Sequence, residues 1–472
     1  MNTQNRSKYL VPQNDGAPST SQDPLAAVPA YLSERYTVLD RVGEGTYGVV
    51  FRVLTKDQPP RMLAIKTFKP GKEGDGISPT AIREIMLLRE LRHDNIVHLE
   101  AVHLHRPDPS LSLAFDYAEH DLYEMLRFHR ERGMGPVLET YTVKSLMWQL
   151  LDGLQYLHAN WIMHRDLKPS NILVVGEGEE QGRVKIGDFG LARIYACPLR
   201  PLSDNGVVVT IWYRAPELLL GARHYTPAAD VWAAGCILAE MLALRPLFQG
   251  NERKSPASAF QAEQCNKIFR VLGLPTVSSW PALEHLPHWR DNTENIRAQK
   301  LEYPPKSRLA EVIAEYSALA AGSGANPAVQ QRGALTDLLS RMLAYNPEDR
   351  ISAADALEHL YFKEEPQPGK NAFMHNGRLL VQYPRRCKIG PAGATASMPP
   401  RAPLNTCDAP QARLAPSRNA TPAGVLGAER KLTPVSAAVT THTTPQGLPP
   451  GSASTRPRPP SNKRPHLDPW LR

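Results

Sequence analysis

His164-Arg165-Asp166-Leu167-Lys168-Pro169-Ser170-Asn171, followed downstream by Asp188-Phe189-Gly190, decides how this chain is read. Moving a phosphoryl group from a nucleotide to a hydroxyl asks little covalent chemistry of a protein. One carboxylate must receive the hydroxyl proton, and an amide and a second carboxylate must hold metal ions. This stretch supplies all three in chain order, with Asp166 as the candidate base and Asn171 and Asp188 as candidate metal ligands. Lys168, two residues past the base, can neutralise the group in transfer. Asp-Phe-Gly alone would carry little weight; with the preceding octet it carries much.

Upstream, Gly43-Glu44-Gly45-Thr46-Tyr47-Gly48-Val49-Val50 fits GxGxxGxV between two strand-like stretches, Tyr36–Leu39 and Val49–Val53. Glycines let a backbone lie against phosphates, because no Cβ intervenes and unusual φ is free. Val42, Val50 and Ala64 are counted with this loop as candidate nucleotide-contacting residues. Lys66 lies on a third strand, Leu63–Thr67, and is the candidate partner of the α- and β-phosphates. Glu84, on the helix that follows, can pair with it and orient the ammonium, so that helix position would switch the enzyme.

That helix is predicted over Pro79–Leu91, with Ser78 as N-cap and Pro79 at the first position. Ile82, Ile85, Met86 and Leu88 share one broad apolar face. Strands are predicted around Ile96–Leu99 and Leu111–Phe115. Helical patterns then dominate: Val143–Ala159, Ala229–Ala243, Leu335–Ala344 and Ala353–His359. The order implies an α+β, bilobal architecture: a small β-rich lobe with one regulatory helix, a large helical lobe and a cleft between them.

Composition divides the chain. Residues 1–31 are polar and read as disordered; 32–118 hold the small lobe and 119–365 the large one. Residues 366–389 read as an extension packed on or near the two-lobed catalytic unit, and 390–472 as a disordered, Pro-rich basic tail. Between 366 and 472 fifteen Lys and Arg face three Asp and Glu, so a net +12 sits there and the rest of this +8 chain carries about −4. Basic character therefore belongs to the tail, which suits nuclear import or loose contact with acidic partners, and no direct sequence-specific nucleic-acid binding is expected. Cys197, Cys236, Cys265, Cys387 and Cys407 show no paired spacing, as in a reducing compartment. No apolar run long enough to cross a membrane and no secretory leader is seen, so neither membrane nor secretion is expected. His93, His98, His103 and His105 straddle a loop and a strand and face different ways, so no metal cluster is expected of them. Thr421-Pro422, Thr433-Pro434 and Thr444-Pro445 are candidate phosphosites that a Pro-rich composition also produces by chance.

With these motifs, residues 36–362 resemble protein kinases of the cyclin-dependent group. The Lys of His-Arg-Asp-Leu-Lys-Pro implies serine/threonine specificity. Ser78–Glu84 resembles the cyclin-binding helix, and Phe115-Asp116-Tyr117-Ala118 the gatekeeper and hinge, whose Asp116 and Ala118 backbones would meet adenine. Trp212–Glu217 resembles the end of the activation segment in proline-directed kinases; by resemblance Glu217 pairs with Arg350 and Asp230 braces the catalytic loop. Phe115–Leu122, Tyr156–Trp161, Gly176–Ile186 and Glu217–Thr226 narrow the likeness to the cyclin-C-dependent kinases of the Mediator complex, called E-type in plants.

The resemblance implies ATP and Mg2+ as cofactors, a C-type cyclin and Mediator kinase-module subunits as partners, and a nuclear location. Its implied substrates carry Ser or Thr, often followed by Pro, in the RNA polymerase II C-terminal domain and transcription factors. Relatives hold an activation-loop phosphothreonine with three arginines, here Arg83, Arg165 and Arg193. Leu202-Ser203-Asp204-Asn205-Gly206 offers no Thr at that position, so activation by cyclin without loop phosphorylation is expected, with phosphorylation of Ser203 as the competing reading. A cell-cycle or other cyclin-dependent kinase outside Mediator, and a non-catalytic scaffold of the kinase module, are the rival functions.

Overall fold

The computed structural model describes residues 29–44, 48–68, 77–105, 110–131, 138–195, 210–224, 226–251, 261–321 and 329–384. Gly45, Thr46, Tyr47, the 202–206 segment, Cys197, Thr226's neighbour Tyr225 and everything after Pro384 lie outside the described residues.

The small lobe is built first: β1 (Tyr36–Glu44), β2 (Gly48–Thr55), β3 (Met62–Phe68), α1 (Pro79–Glu90), β4 (Leu99–His105) and β5 (Ser110–Asp116). Its strands make one antiparallel sheet in the order β1-β2-β3-β5-β4. Side chains alternate across a strand. Phe51, Val53, Leu63, Ile65 and Ala114 therefore close one core with Leu32 and Tyr36, while Lys66 projects from the opposite face of the sheet. His103 bonds to the Tyr36 hydroxyl at 2.9 Å, His105 stacks on Tyr31 and His93 on Tyr156.

Helix α1 starts where its cap predicts: the Ser78 hydroxyl accepts from the Thr80 amide at 3.3 Å and Pro79 occupies the first turn. Its apolar face is a correction. Ala81, Glu84, Leu87 and Leu88 are buried, whereas Ile82 is 45% and Met86 64% exposed. The inner side abuts the large lobe so closely that a Cβ on Gly190 would lie 2.6 Å from Thr80 Cγ2. A small residue and a charge-paired carboxylate occupy the inner side, and Ile82 and Met86 are left outside.

The strand expected around Ile96–Leu99 begins only at Leu99. Ile96 and Val97 belong instead to the large lobe: the Val97 amide donates to Ile186 and the Ile186 amide to Asn95, at 3.0 and 2.8 Å. The Asn95 side chain completes the attachment, donating to the Val184 carbonyl at 2.9 Å and to Gln149 at 3.2 Å.

In the large lobe, β6 (His120–Asp121) leads into α2 (Leu122–Glu131) and α3 (Thr140–Ala159), followed by β7 (Ile162–Met163), β8 (Ile172–Val174), β9 (Val184–Ile186) and β10 (Arg193–Ile194). Strands β6, β8 and β9 form one small sheet, and β7 pairs with β10. Helices α4 (Pro216–Leu219), α5 (Ala228–Ala243), α6 (Ala262–Leu272), α7 (Trp289–Ala298), α8 (Leu309–Ala321), α9 (Val329–Met342), α10 (Ala353–Leu357) and α11 (Leu360–Lys363) follow. Leu146, Leu150, Leu154 and Leu157 put the expected stripe of α3 in the core. Trp232, Ala234, Ile237, Leu238 and Met241 make α5 buried almost all round, the mark of a central helix. Helix α9 begins earlier than the Leu335 expected.

Residues 366–384 return along the large lobe, with a short hairpin of β11 (Met374–His375) and β12 (Arg378–Leu379). Ala372, Phe373 and Tyr383 are buried there. Among the described residues no helix is long and apolar enough to cross a membrane.

Candidate active site

Three elements converge on the cleft. Lys66 from β3 places its Nζ 2.8 and 3.1 Å from the Glu84 carboxylate of α1 and 3.4 Å from Asp188 Oδ1. Burial alone would lower the lysine, but the two carboxylates more than offset it and hold the ammonium above its ordinary value. Burial would likewise raise Asp188; Lys66, His164 and Lys168 reverse this and keep it below the usual carboxylate range. The charged forms of Lys66 and Asp188 are thus favoured, whereas burial raises the Glu84 carboxyl against the pull of Lys66. Arg83 adds a second tie between α1 and the Asp-Phe-Gly turn, donating to the Gly190 carbonyl at 2.7 Å.

The segment carrying Asp166 is held from below. The buried Asp230 carboxylate accepts from the amides of His164 and Arg165 at 2.9 and 2.8 Å and lies 3.1 Å from His158 Nε2. These two acceptors hold Arg165 in the left-handed region, at φ 70°. Opposed by burial, the bond from His158, the charges of His158 and His164 and the Arg165 amide keep Asp230 low. His164 in turn bonds to the Gly187 carbonyl at 2.9 Å and packs its ring edge-on to Phe189, which is fully buried. The sequence motif flagged neither the His164–Phe189 contact nor its role of joining the segments that carry Asp166 and Asp188.

Asp166 faces Lys168 Nζ at 2.7 Å. Asn171 Nδ2 donates to the Asp166 carbonyl at 2.7 Å and its carboxylate at 3.2 Å. Spending the amide nitrogen on Asp166 leaves the Asn171 carbonyl oxygen as the atom to offer a cation. With Asp188 this makes two protein oxygens, a donor set that suits Mg2+ shared with substrate phosphates and water. Among the described residues no cluster of three acidic, His or Cys ligands forms.

At the expected hinge, Phe115 is buried and pairs with Ala64 across the strands, with Leu63 opposite Asp116. Burial raises the Asp116 carboxyl, against the charges of Lys185 and His98. In the glycine turn, Gly43 pairs with Val50 and Glu44 with Val49. Gly43 has open space where a Cβ would go. Gly48 does not: a Cβ would lie 2.3 Å from the Thr67 carbonyl oxygen, so β3 itself demands glycine there.

Arg83, Arg165 and Arg193 gather beside the cleft, donating to the successive carbonyls of Gly190, Leu191 and Ala192 at 2.7, 3.4 and 3.0 Å. Burial, then the charges of Arg83 and Arg165, push Arg193 down to about 10. Such a concentration of like charge favours an anion. Below, Arg350 makes a bidentate pair with Glu217 at 2.9 and 3.0 Å, and its guanidinium lies over Trp232. Trp212 Nε1 donates to the Gly250 carbonyl and the Tyr213 hydroxyl to Glu240, which hold the segment before Glu217 in place.

The protein kinase domain family matches residues 36–362. Over 389 residues the chain is 54% identical to cyclin-dependent kinase E-1 of Arabidopsis thaliana, covering 81% of this chain and 79% of that one. It is 49% identical over 360 residues to the probable cyclin-dependent kinase 8 of Dictyostelium discoideum, covering 76% and 87%. A serine/threonine-protein kinase SSN3 from Yarrowia lipolytica is 44% identical over 363 residues, covering 75% and 82%. The chain therefore belongs to the protein kinase family, as an ATP-dependent serine/threonine kinase of the cyclin-dependent kinase E-1, cyclin-dependent kinase 8 and SSN3 type.

Proposed function

We propose that this kinase acts with a C-type cyclin in a nuclear Mediator kinase module, phosphorylating Ser and Thr in the repeats of the RNA polymerase II C-terminal domain and in transcription factors. The observation that carries the cyclin is α1: its inner side sets the Lys66–Glu84 and Arg83–Gly190 contacts, and its outer side exposes Ile82 and Met86. A partner seated on that outer face stabilises the arrangement the chemistry needs.

In this reading adenine meets the Asp116 and Ala118 backbone, between Val42, Val50, Ala64 and Phe115. Lys66, held by Glu84, orients the α- and β-phosphates. Asp166 accepts the proton of the attacking hydroxyl at its carboxylate, and Lys168, 2.7 Å away, neutralises charge on the group in transfer. Asn171 and Asp188 hold Mg2+, which when bound neutralises phosphate charge.

The arginine cluster calls for an anion, and because 202–206 carries no Thr the reading is activation without a loop phosphate, Asp204 or an acidic residue of the cyclin supplying the charge. The test is phosphate transfer to a heptad-repeat substrate by the chain alone and with a C-type cyclin, beside Asp166→Ala. Strong transfer only with the cyclin, none in the variant and no phosphate on Ser203 by mass spectrometry is the expected result. Activity only with another cyclin, or stoichiometric phosphate on Ser203, overturns it.

A further inference from the structure

The extension at 366–384 closes a ring beneath the hinge. Its Tyr383 is buried among the rings of His120, Phe128 and Phe373, at centroid separations of 5.5, 5.3 and 5.3 Å, and its hydroxyl lies 3.0 Å from His129 Nε2. His120 is two residues past Ala118. At its other end the extension grips the loop between β8 and β9. The Ala372 amide donates to the Gly182 carbonyl at 3.3 Å and Asn371 Nδ2 to Gln181 at 3.4 Å. Gly182 has φ 75°, and a Cβ there would lie 2.4 Å from the Ala372 nitrogen, so this approach admits only glycine. The same loop then returns to the hinge: the Gly176 amide donates to Glu119 Oε2 at 2.5 Å, and a Cβ on Gly176 would lie 2.7 Å from His120 Nε2.

We infer that residues 371–383 are a positioning clamp for the nucleotide site, with Tyr383 setting the hinge exit through His120. Hinge exit, loop and extension hold one another at both ends, so the backbone that receives adenine is fixed from three separate parts of the chain. Supporting contacts of this kind set how well a site is pre-organised. Loss of the clamp leaves Lys66, Asp166 and Asp188 in place and loosens only the adenine end.

The inference rests on placing adenine at Asp116–Ala118, and the experiment separates the two. Adenosine and the β,γ-imido analogue of ATP with Mg2+ are titrated calorimetrically into the full chain. Tyr383→Ala, checked for folding by thermal unfolding, is expected to weaken both ligands by roughly tenfold. Because adenosine lacks phosphates, an equal loss for both locates the effect at the adenine end. Tyr383→Phe keeps the ring and restores affinity, and Leu274→Ala, exposed and outside the clamp, leaves it unchanged. Asn371→Ala, at the far end of the clamp, weakens both ligands in the same direction and serves if Tyr383→Ala does not fold. Wild-type affinity in a folded Tyr383→Ala or Asn371→Ala protein overturns the clamp alone. Absence of adenosine binding to the wild type, with the analogue still bound, overturns the hinge placement and the clamp together.

Discussion

Asp166 illustrates how much of the site a single motif can carry. Its neighbours Lys168 and Asn171 were legible because they are close in sequence, and the structure sets both within hydrogen-bond reach. Asp166→Asn keeps the shape and removes the proposed proton acceptor. It is expected to lower kcat by about 10²- to 10⁴-fold with nucleotide affinity nearly unchanged, as read by steady-state kinetics and direct titration. Asp230 was legible only through family likeness, since nothing local says that an aspartate at the start of an apolar helix will face two amides from residues 164 and 165. Its folded pKa lies below the ordinary 3.8. A depressed carboxylate contributes its full stability above its ordinary value and loses it as pH falls through the folded one. Urea titrations below 3.8 are therefore expected to show a steeper fall in wild-type stability than in Asp230→Asn; parallel curves would contradict this.

Elements were legible in kind more than in orientation. Ser78 and Pro79 announce the start of α1, because a cap and a fixed φ act locally. Which side of α1 turns inward depends on what approaches it, and the approach of Gly190 and Lys66 is set by residues far along the chain. Hydropathy alone placed Ile82 and Met86 with Leu88, and packing separates them. The separation has a measurable consequence. Met86→Asp is expected to change the stability of the isolated chain by no more than about 0.5 kcal/mol, while abolishing capture by a C-type cyclin. Leu88→Ala, inside the core, is expected to cost about 2–5 kcal/mol. Denaturant midpoints and cyclin titrations read the two effects separately. Strand β4 teaches the same lesson: Ile96 and Val97 are β-formers by type, yet Asn95 fastens them to the other lobe.

At the scale of the molecule, the two-lobe order was legible because motifs from residue 43 to residue 217 occur in one sequence, each on its expected strand, loop or helix. The course of residues 366–384 was not. That stretch has no periodicity, and its partners lie far back in the chain, 230 residues in the bonds from Tyr141 and Thr142 and 254 in that between His129 and Tyr383. Glu217 and Arg350 are separated by 133 residues and meet in the interior. Breaking one side of such a pair strands the other charge in a place water does not reach. Arg350→Ala is expected to cost about 3–5 kcal/mol in a denaturant titration, and a loss under 1 kcal/mol would show that the pair is dispensable to the fold.

The three guanidiniums resting on Gly190, Leu191 and Ala192 carry a consequence for timing. A covalent phosphate is a mark that outlives the enzyme that wrote it, and only a second enzyme erases it. An anion lent by a bound partner leaves no mark. On the proposed activation by a bound partner, the activity of this kinase would last as long as the partner stays, a span set by a dissociation rate, and simple dilution would return it to rest.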